Sequence, residues 1–194
     1  MRKYFLISLL LFMPFTHAYA DLAKGMDAAK SGDYETALKE WKPLAEQGDA
    51  MARRFLGQLY LKGLGVTQDT NTALRWYKLA ADQGDANAQS KLARIYYDGK
   101  LVPQDYATAF NLYKLAAEQG LVVAQHNLGW MYSEGYSVPQ DYVRAHMWMN
   151  LAASLGHKNA VTTRNRIEEK MTPADVSKAQ KLARNCVTNN YKNC

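Results

Sequence analysis

The sequence predicts an all-α fold, a right-handed α/α solenoid built of helix-turn-helix repeats. Three observations predict it. The same residues recur at a spacing of 36, the apolar positions within each copy follow a helical rhythm, and glycines stand where helices must end. The spacing links Gly48, Gly84, Gly120 and Gly156, and likewise Ala52, Ala88, Ala124 and Ala160. It also links Leu56, Leu92 and Leu128, then Tyr60, Tyr96 and Tyr132, then Gly63, Gly99 and Gly135. Val66, Val102 and Val138 follow it, as do Gln-Asp pairs at 68-69, 104-105 and 140-141 and the alanines at 73, 109 and 145. Three full copies run from 48 to 155.

Each copy holds two helical patterns. In the first, Ala52, Phe55, Leu56, Leu59 and Tyr60 fall at i, i+3, i+4, i+7 and i+8, one stripe of an α-helix. In the second, Ala73, Tyr77 and Ala80 form a stripe flanked by Leu74 and Trp76, and Gly84 sits where a left-handed residue ends a helix. The turn between them, Gly63 to Asp69, opens on a glycine that can take positive φ and closes on an aspartate able to accept from free helix-start amides. Pro103 and Pro139 stiffen its later copies. One hairpin cannot bury its own apolar face, so the copies must stack.

The two ends depart from the period as terminal units should. Residues 21–47 form a capping hairpin, in which Asp33 and Ala37 stand where Asp69 and Ala73 stand later, with a partner helix from about Leu22 to Lys30. In residues 156–194 the pattern decays, Leu128 giving way to Arg164 and Tyr132 to Glu168, which supplies the polar outer face of a cap. The last helix opens with Thr172-Pro173-Ala174-Asp175, a capping threonine followed by a proline at the first helical position. About ten helices and no strands are expected.

Residues 1–20 read as a cleaved signal peptide. Arg2 and Lys3 precede an apolar run of twelve residues, Tyr4 to Phe15, and Ala18-Tyr19-Ala20 offers small residues at a signal-peptidase site, so cleavage is expected after Ala20. The run is short of the roughly 20 apolar residues of a membrane span, and no later stretch comes closer. The mature chain is therefore expected in the periplasm or secreted, not spanning a membrane.

The formal net charge of +6 becomes +4 when Arg2 and Lys3 are removed. From Lys158 onward the balance is +5, whereas Asp21 to His157 sums to −1. An exported chain does not meet the genome, so nucleic acid is excluded as a partner. The basic end is either a solvated surface or a contact for anionic envelope material.

The turn and helix residues resemble those of the Sel1-like repeat family, relatives of tetratricopeptide repeats. The matching segments are Ala86-Asn87-Ala88-Gln89, Gly99, Val102-Pro103-Gln104-Asp105-Tyr106, Ala109 and Lys114-Leu115-Ala116-Ala117-Glu118-Gln119-Gly120. Leu101 and Ser137 depart from the pattern where the turn has a second glycine, and Met149 departs where it has an aromatic. The resemblance implies an adaptor or scaffold that holds a protein or peptide partner in the envelope. A second class is implied by a cysteine-rich branch of the family associated with β-lactam binding and hydrolysis. That branch carries cysteine pairs in its repeats, and residues 48–155 contain no cysteine.

Catalytic, metal and cofactor motifs are not found. His126, His146 and His157 form no H-E-x-x-H, there is no C-x-x-C, and no glycine loop would cradle phosphate. His126 and His146 come from different helices and could meet, but a satisfied or solvent-facing histidine is the reading preferred. Glu168 and Glu169 read as surface charges. Trp76, Tyr77, Tyr96, Tyr113, Tyr132 and Trp148 recur where packing demands and read as core. Cys186 and Cys194 are an even pair in an oxidising compartment, which favours a disulfide pinning the tail. The seven intervening residues are unlike a redox-active pair.

Binding residues are sought where the chain does not repeat. On the face of each first helix opposite Leu56 and its equivalents lie Arg54, Gln58 and Leu61, then Ser90, Arg94 and Tyr97, then His126, Trp130 and Ser133. These nine are expected to line a concave groove, with Trp130, Tyr97 and Arg94 as its anchors.

Overall fold

The computed structural model describes residues 15–192 and 194, with side chains from Asp21 onward. The basic pair and most of the apolar run of the expected signal peptide lie outside the described residues. Ten helices, and no strand among the described residues, follow one another: α1 (Phe15–Lys30), α2 (Tyr34–Glu46), α3 (Ala50–Lys62), α4 (Thr70–Asp82), α5 (Ala86–Asp98), α6 (Tyr106–Ala117), α7 (Val122–Glu134), α8 (Tyr142–Ser154), α9 (Lys158–Glu168) and α10 (Pro173–Thr188). The helix expected from about Leu22 begins earlier, at Phe15. From α1 to α9 each helix packs on the one that follows it, and this succession builds the solenoid.

The repeated Gln-Asp pair closes the hairpin of each of the three full repeats. Asp69, Asp105 and Asp141 cap α4, α6 and α8 by accepting from the amides of Thr72, Thr108 and Arg144 at 3.1, 3.0 and 2.9 Å. Their own amides reach back 3.0 Å to the carbonyls of Tyr60, Tyr96 and Tyr132 near the end of the preceding helix. The neighbouring Gln68, Gln104 and Gln140 donate to the carbonyls of Leu61, Tyr97 and Ser133 at 2.9, 2.8 and 2.7 Å. Helix carbonyls left orphaned at a C-terminus are thus satisfied from the next element, and the angle of the hairpin is fixed. Thr72 and Thr108 also donate to Asp69 and Asp105 through their hydroxyls, which holds both carboxyls below the usual carboxylate range.

A second set of bonds joins successive hairpins. Arg53, Gln89 and Gln125 occupy equivalent places on α3, α5 and α7 and donate to the carbonyls of Ala45, Ala81 and Ala117, at the end of the preceding helix. Beside these bonds the repeat alanines at 37, 73, 109, 145, 52, 88, 124 and 160 are fully buried. Their small side chains set the close helix spacing. Tyr77, Tyr113, Trp76 and Trp148 are buried too, with Tyr96 and Tyr132 half-buried at the edge of the core.

The ends are built differently. In the first cap Trp41 lies over Gly25, where an added Cβ would sit 2.3 Å from the indole nitrogen, and that nitrogen donates to the Leu22 carbonyl. At the other end α10 packs on α8 and not on α9 as a hairpin partner would. Val161, Val176 and Ser177 stand where the clasping Arg53 or glutamine, Gln68 and Asp69 stand in the first repeat, so both sets of bonds are missing from this unit. After α10 the chain folds back through Asn190 and Tyr191, both with positive φ, so that the Tyr191 ring rests against Gly120. Cys186 and Cys194 are joined with Cα atoms 5.2 Å apart. On the chain-entropy view a loop this short contributes about 2.5 kcal/mol at most.

The second turn glycine of the first repeat has a steric reason that its later equivalents lack. Gly65 has φ +67°, and a Cβ there would lie 2.7 Å from the Tyr34 backbone. Ser137 keeps the left-handed conformation at φ 68° without glycine, and Leu101 is not among the positive-φ residues. Gly84, at φ +91°, has open space where its Cβ would be. Gly84→Ala should cost the ordinary left-handed penalty, about 1–2 kcal/mol, and Gly65→Ala clearly more. Paired denaturant melts check this, and equal costs would mean that the Tyr34 backbone gives way freely.

Candidate functional site

The first helices of the hairpins lie side by side and present one long face. Asp49 and Asp85 cap α3 and α5, Gly63, Gly99 and Gly135 end α3, α5 and α7 in left-handed conformation, and α7 starts at Leu121 without a side-chain cap. Along this face runs a row of cavities, each sharing wall residues with the next. One of about 250 Å³ is walled by Arg94, Tyr97, Asp98, Tyr113, His126, Asn127 and Trp130. Its neighbour, about 300 Å³, shares Arg94 and Asn127 and adds Arg54, Gln58, Tyr77, Ser90 and Lys91. Gln58 then borders a third, also about 300 Å³, with Lys30, Lys62 and an apolar wall of Trp41, Phe55 and Leu64. Trp130 and Ser133 border a fourth, about 200 Å³, toward α9.

Seven of the nine sequence-predicted residues wall the first two cavities: Arg54, Gln58, Ser90, Arg94, Tyr97, His126 and Trp130. Ser90 and Ser133 are buried, and Ser133 donates to the Trp130 carbonyl. Leu61 turns into the apolar cluster around Tyr77 and Ile95 and walls none of these cavities. Arg54 is held to Asp85 at 3.2 Å and lies over the Phe55 ring. Arg94 is largely exposed and bonds Asp98 at 3.3 Å.

Tyr97 and Trp130 are both groove wall and packing. The Trp130 indole donates to the Tyr97 hydroxyl at 3.2 Å across two repeats, and Tyr97 meets Tyr106 and Tyr136 edge-on. Burial pushes the Tyr97 phenol up, so it stays protonated. Truncating either ring therefore disturbs the stack as well as the groove.

The sequence reading misses half of the face. Relative to Gln58, the nine expected positions lie on one side of the helix, while Phe55, Lys62, Lys91, Asp98, Asn127 and Glu134 line the cavities on the other. At 100° per residue the face centres on Gln58, about 35° from the middle of the nine. A signal was present: Asn87, Lys91, Arg94 and Asp98 follow i, i+4, i+7 and i+11. The face is offset because each first helix packs against a second helix on both flanks, so burial extends further on one side than on the other. Tyr77 and Tyr113, read as core, are core residues that also form cavity wall.

All three histidines are engaged within the fold. His126 stacks on His157, centroids 4.5 Å apart, and does not meet His146. His157 accepts from the Ala160 amide as the cap of α9. His146 is buried on α8 and lies 3.2 Å from the carboxylate of Glu168, which is itself exposed on α9. The inward face of α9 brings these two groups together, a contact that sequence spacing of 22 residues does not reveal. Groups of three or more His, Cys, Asp or Glu placed to hold a metal are absent among the described residues.

A repeated helical hairpin stacked into a solenoid, with a non-repeating groove along its first helices, defines a repeat-scaffold protein. The Sel1 repeat profile matches residues 50–85, 86–121 and 122–157, a two-residue shift from the copies read off the period. The chain belongs to the Sel1 repeat family. It is similar to the crystal structure of a Sel1 repeat protein from Oxalobacter formigenes, with 35% identity and a TM-score of 0.64, over 67% of this chain and 98% of that one. It is also similar to c5321, a protective antigen present in uropathogenic Escherichia coli strains and displaying the same type of fold, at 26% identity and a TM-score of 0.55. That match covers 90% of this chain and 47% of the antigen. No curated protein matches.

The burial of His126 links the stability of the fold to pH. Burial, and then the neighbouring His157, hold the His126 pKa below its ordinary 6.5. A depressed folded-state pKa means a contribution to stability that is complete above 6.5 and lost as pH falls through the folded value. Melting temperature should thus drop between neutral pH and pH of about 5, and His126→Leu should flatten that part of the drop. An unchanged pH profile in the variant would show that His126 titrates as it does in the unfolded chain.

Proposed function

We propose that the protein is an exported envelope scaffold that holds a segment of a partner protein along the groove of α3, α5 and α7. Sel1 repeats generally serve protein–protein interaction and are non-enzymatic scaffolds. The observation that carries the proposal is the division of labour along each first helix. Positions locked to the period are buried or make the clasping bonds, and the positions that change identity, Gln58, Arg94 and Trp130 at one register and Phe55, Lys91 and Asn127 at another, wall the row of cavities. Extended concave faces of stacked hairpins suit a peptide or a partner helix.

Export rests on the reading of residues 1–20, and the paired cysteines are compatible with it. Among the described residues, no helix is long and apolar enough to cross a membrane. The basic end offers a subsidiary contact for anionic envelope material: Lys178, Lys181 and Arg184 lie on the face of α10 opposite buried Ala179, Ala183 and Cys186.

Photo-crosslinking from single positions in living cells tests the proposal. Probes replacing Gln58 or Asn127 should give an adduct in the envelope fraction, from a chain whose intact mass begins at Asp21. Probes at Lys78 or Asn111, on the outer helices, should give none. Adducts only from the outer helices, or a chain still starting at Met1, would overturn it.

A further inference from the structure

We propose that the groove selects an acidic peptide segment with aromatic or aliphatic anchors, its carboxylates held between α3 and α5; this rests on the groove being the binding face. The proposal stands on a separation of charge that the sequence total conceals. Asp21 to His157 sums to −1. Yet the two cavities that meet at Gln58 are walled by Lys30, Lys62, Arg54, Lys91 and Arg94 and by no carboxylate. Lys62 and Lys91 make no ion pair among the described residues, and the partners of Lys30, Arg54 and Arg94 lie outside these two cavities.

A second observation points to the same chemistry. Tyr77 walls the cavity that holds Arg54, Lys91 and Arg94, and its buried hydroxyl has no hydrogen-bond partner. A buried donor without an acceptor is destabilising, and an anion supplies the acceptor that is missing. Burial pushes the Tyr77 phenol up, so it remains a donor at neutral pH. Asn87 and Asn127 stand beside it with amide groups suited to a peptide backbone. On either side of this cationic stretch are apolar seats: Trp41, Phe55 and Leu64 toward the first cap, Tyr97 and Trp130 toward α7. A ligand that fits carries negative charge in the middle and apolar side chains at its flanks. A cationic segment would meet like charge over the same stretch, which favours discrimination by repulsion as well as attraction.

The test uses the mature-length chain and three fluorescein-labelled probes. The first is a peptide of glutamates and phenylalanines in a Gly-Ser background, and in the other two glutamine or lysine replaces every glutamate. Fluorescence anisotropy should show the glutamate probe binding about tenfold tighter than the glutamine probe, with affinity falling as salt is added. Lys91→Glu with Arg94→Glu, both exposed, should remove that preference while circular dichroism shows the fold intact. Lys39→Gln, Lys42→Gln and Lys78→Gln together, all exposed on second helices and outside the groove, should leave it unchanged. Equal binding of the glutamate and glutamine probes, lost in Trp130→Ala, would overturn the acidic selectivity and leave the groove standing. Loss of the glutamate preference in a Lys178→Gln, Lys181→Gln, Arg184→Gln variant of α10, with the preference kept in the Lys91→Glu, Arg94→Glu variant, would overturn it in favour of the basic end. Failure of all three probes to bind would overturn both the selectivity and the groove.

Discussion

Everything in the solenoid depends on how each turn is clasped. The aspartate of the Gln-Asp pair caps one helix while its amide bonds the helix before, and the glutamine takes up a further carbonyl of that earlier helix. Each such bond contributes about 1 kcal/mol net, but leaving its buried partner unsatisfied costs about 1–3 kcal/mol, so the clasp acts chiefly by excluding other hairpin angles. Arg53, Gln89 and Gln125 do the same between hairpins. Where these residues are missing, after α9, the next helix leaves its hairpin position and settles on α8. Its tail then needs another restraint, which the Cys186–Cys194 link and the Tyr191 contact with Gly120 provide.

Because the frame is held by residues that recur, the first helices can vary on one face without loss of the fold. That freedom explains why Gln58, Arg94 and Trp130 share a register yet share no chemistry. The frame and the face are not wholly separate. Tyr77 and Tyr113 belong to the core and still border cavities, and Trp130 binds Tyr97 of the neighbouring repeat. Shape in the groove is therefore set by the stack itself.

The period revealed the helices, their glycine ends and the aspartate caps, since each of these arises from a local rule. It revealed the groove only in part. Placing a face opposite Leu56 assumes burial symmetric about that residue, whereas flanking helices bury Ser90 and Ser133 and leave Lys91 and Asn127 open. The meeting of His126 with His157, and of His146 with Glu168, depends on how α9 lies across α7 and α8. The cationic stretch was hidden for a similar reason: its charges cancel in the sum and separate only when the helices are placed. The departure of α10 from α9 was legible in principle, in Val161, Val176 and Ser177, once the task of the clasping residues was known.

The clasp is tested most directly by amide hydrogen exchange at Asp69, Asp105 and Asp141. If the turns are fixed as described, these three amides exchange only with global unfolding, as slowly as the buried helix amides on either side, and Gln104→Ala speeds exchange at Asp105 above all. Exchange at all three as fast as in an open loop, while α3 to α8 stay protected, would contradict it.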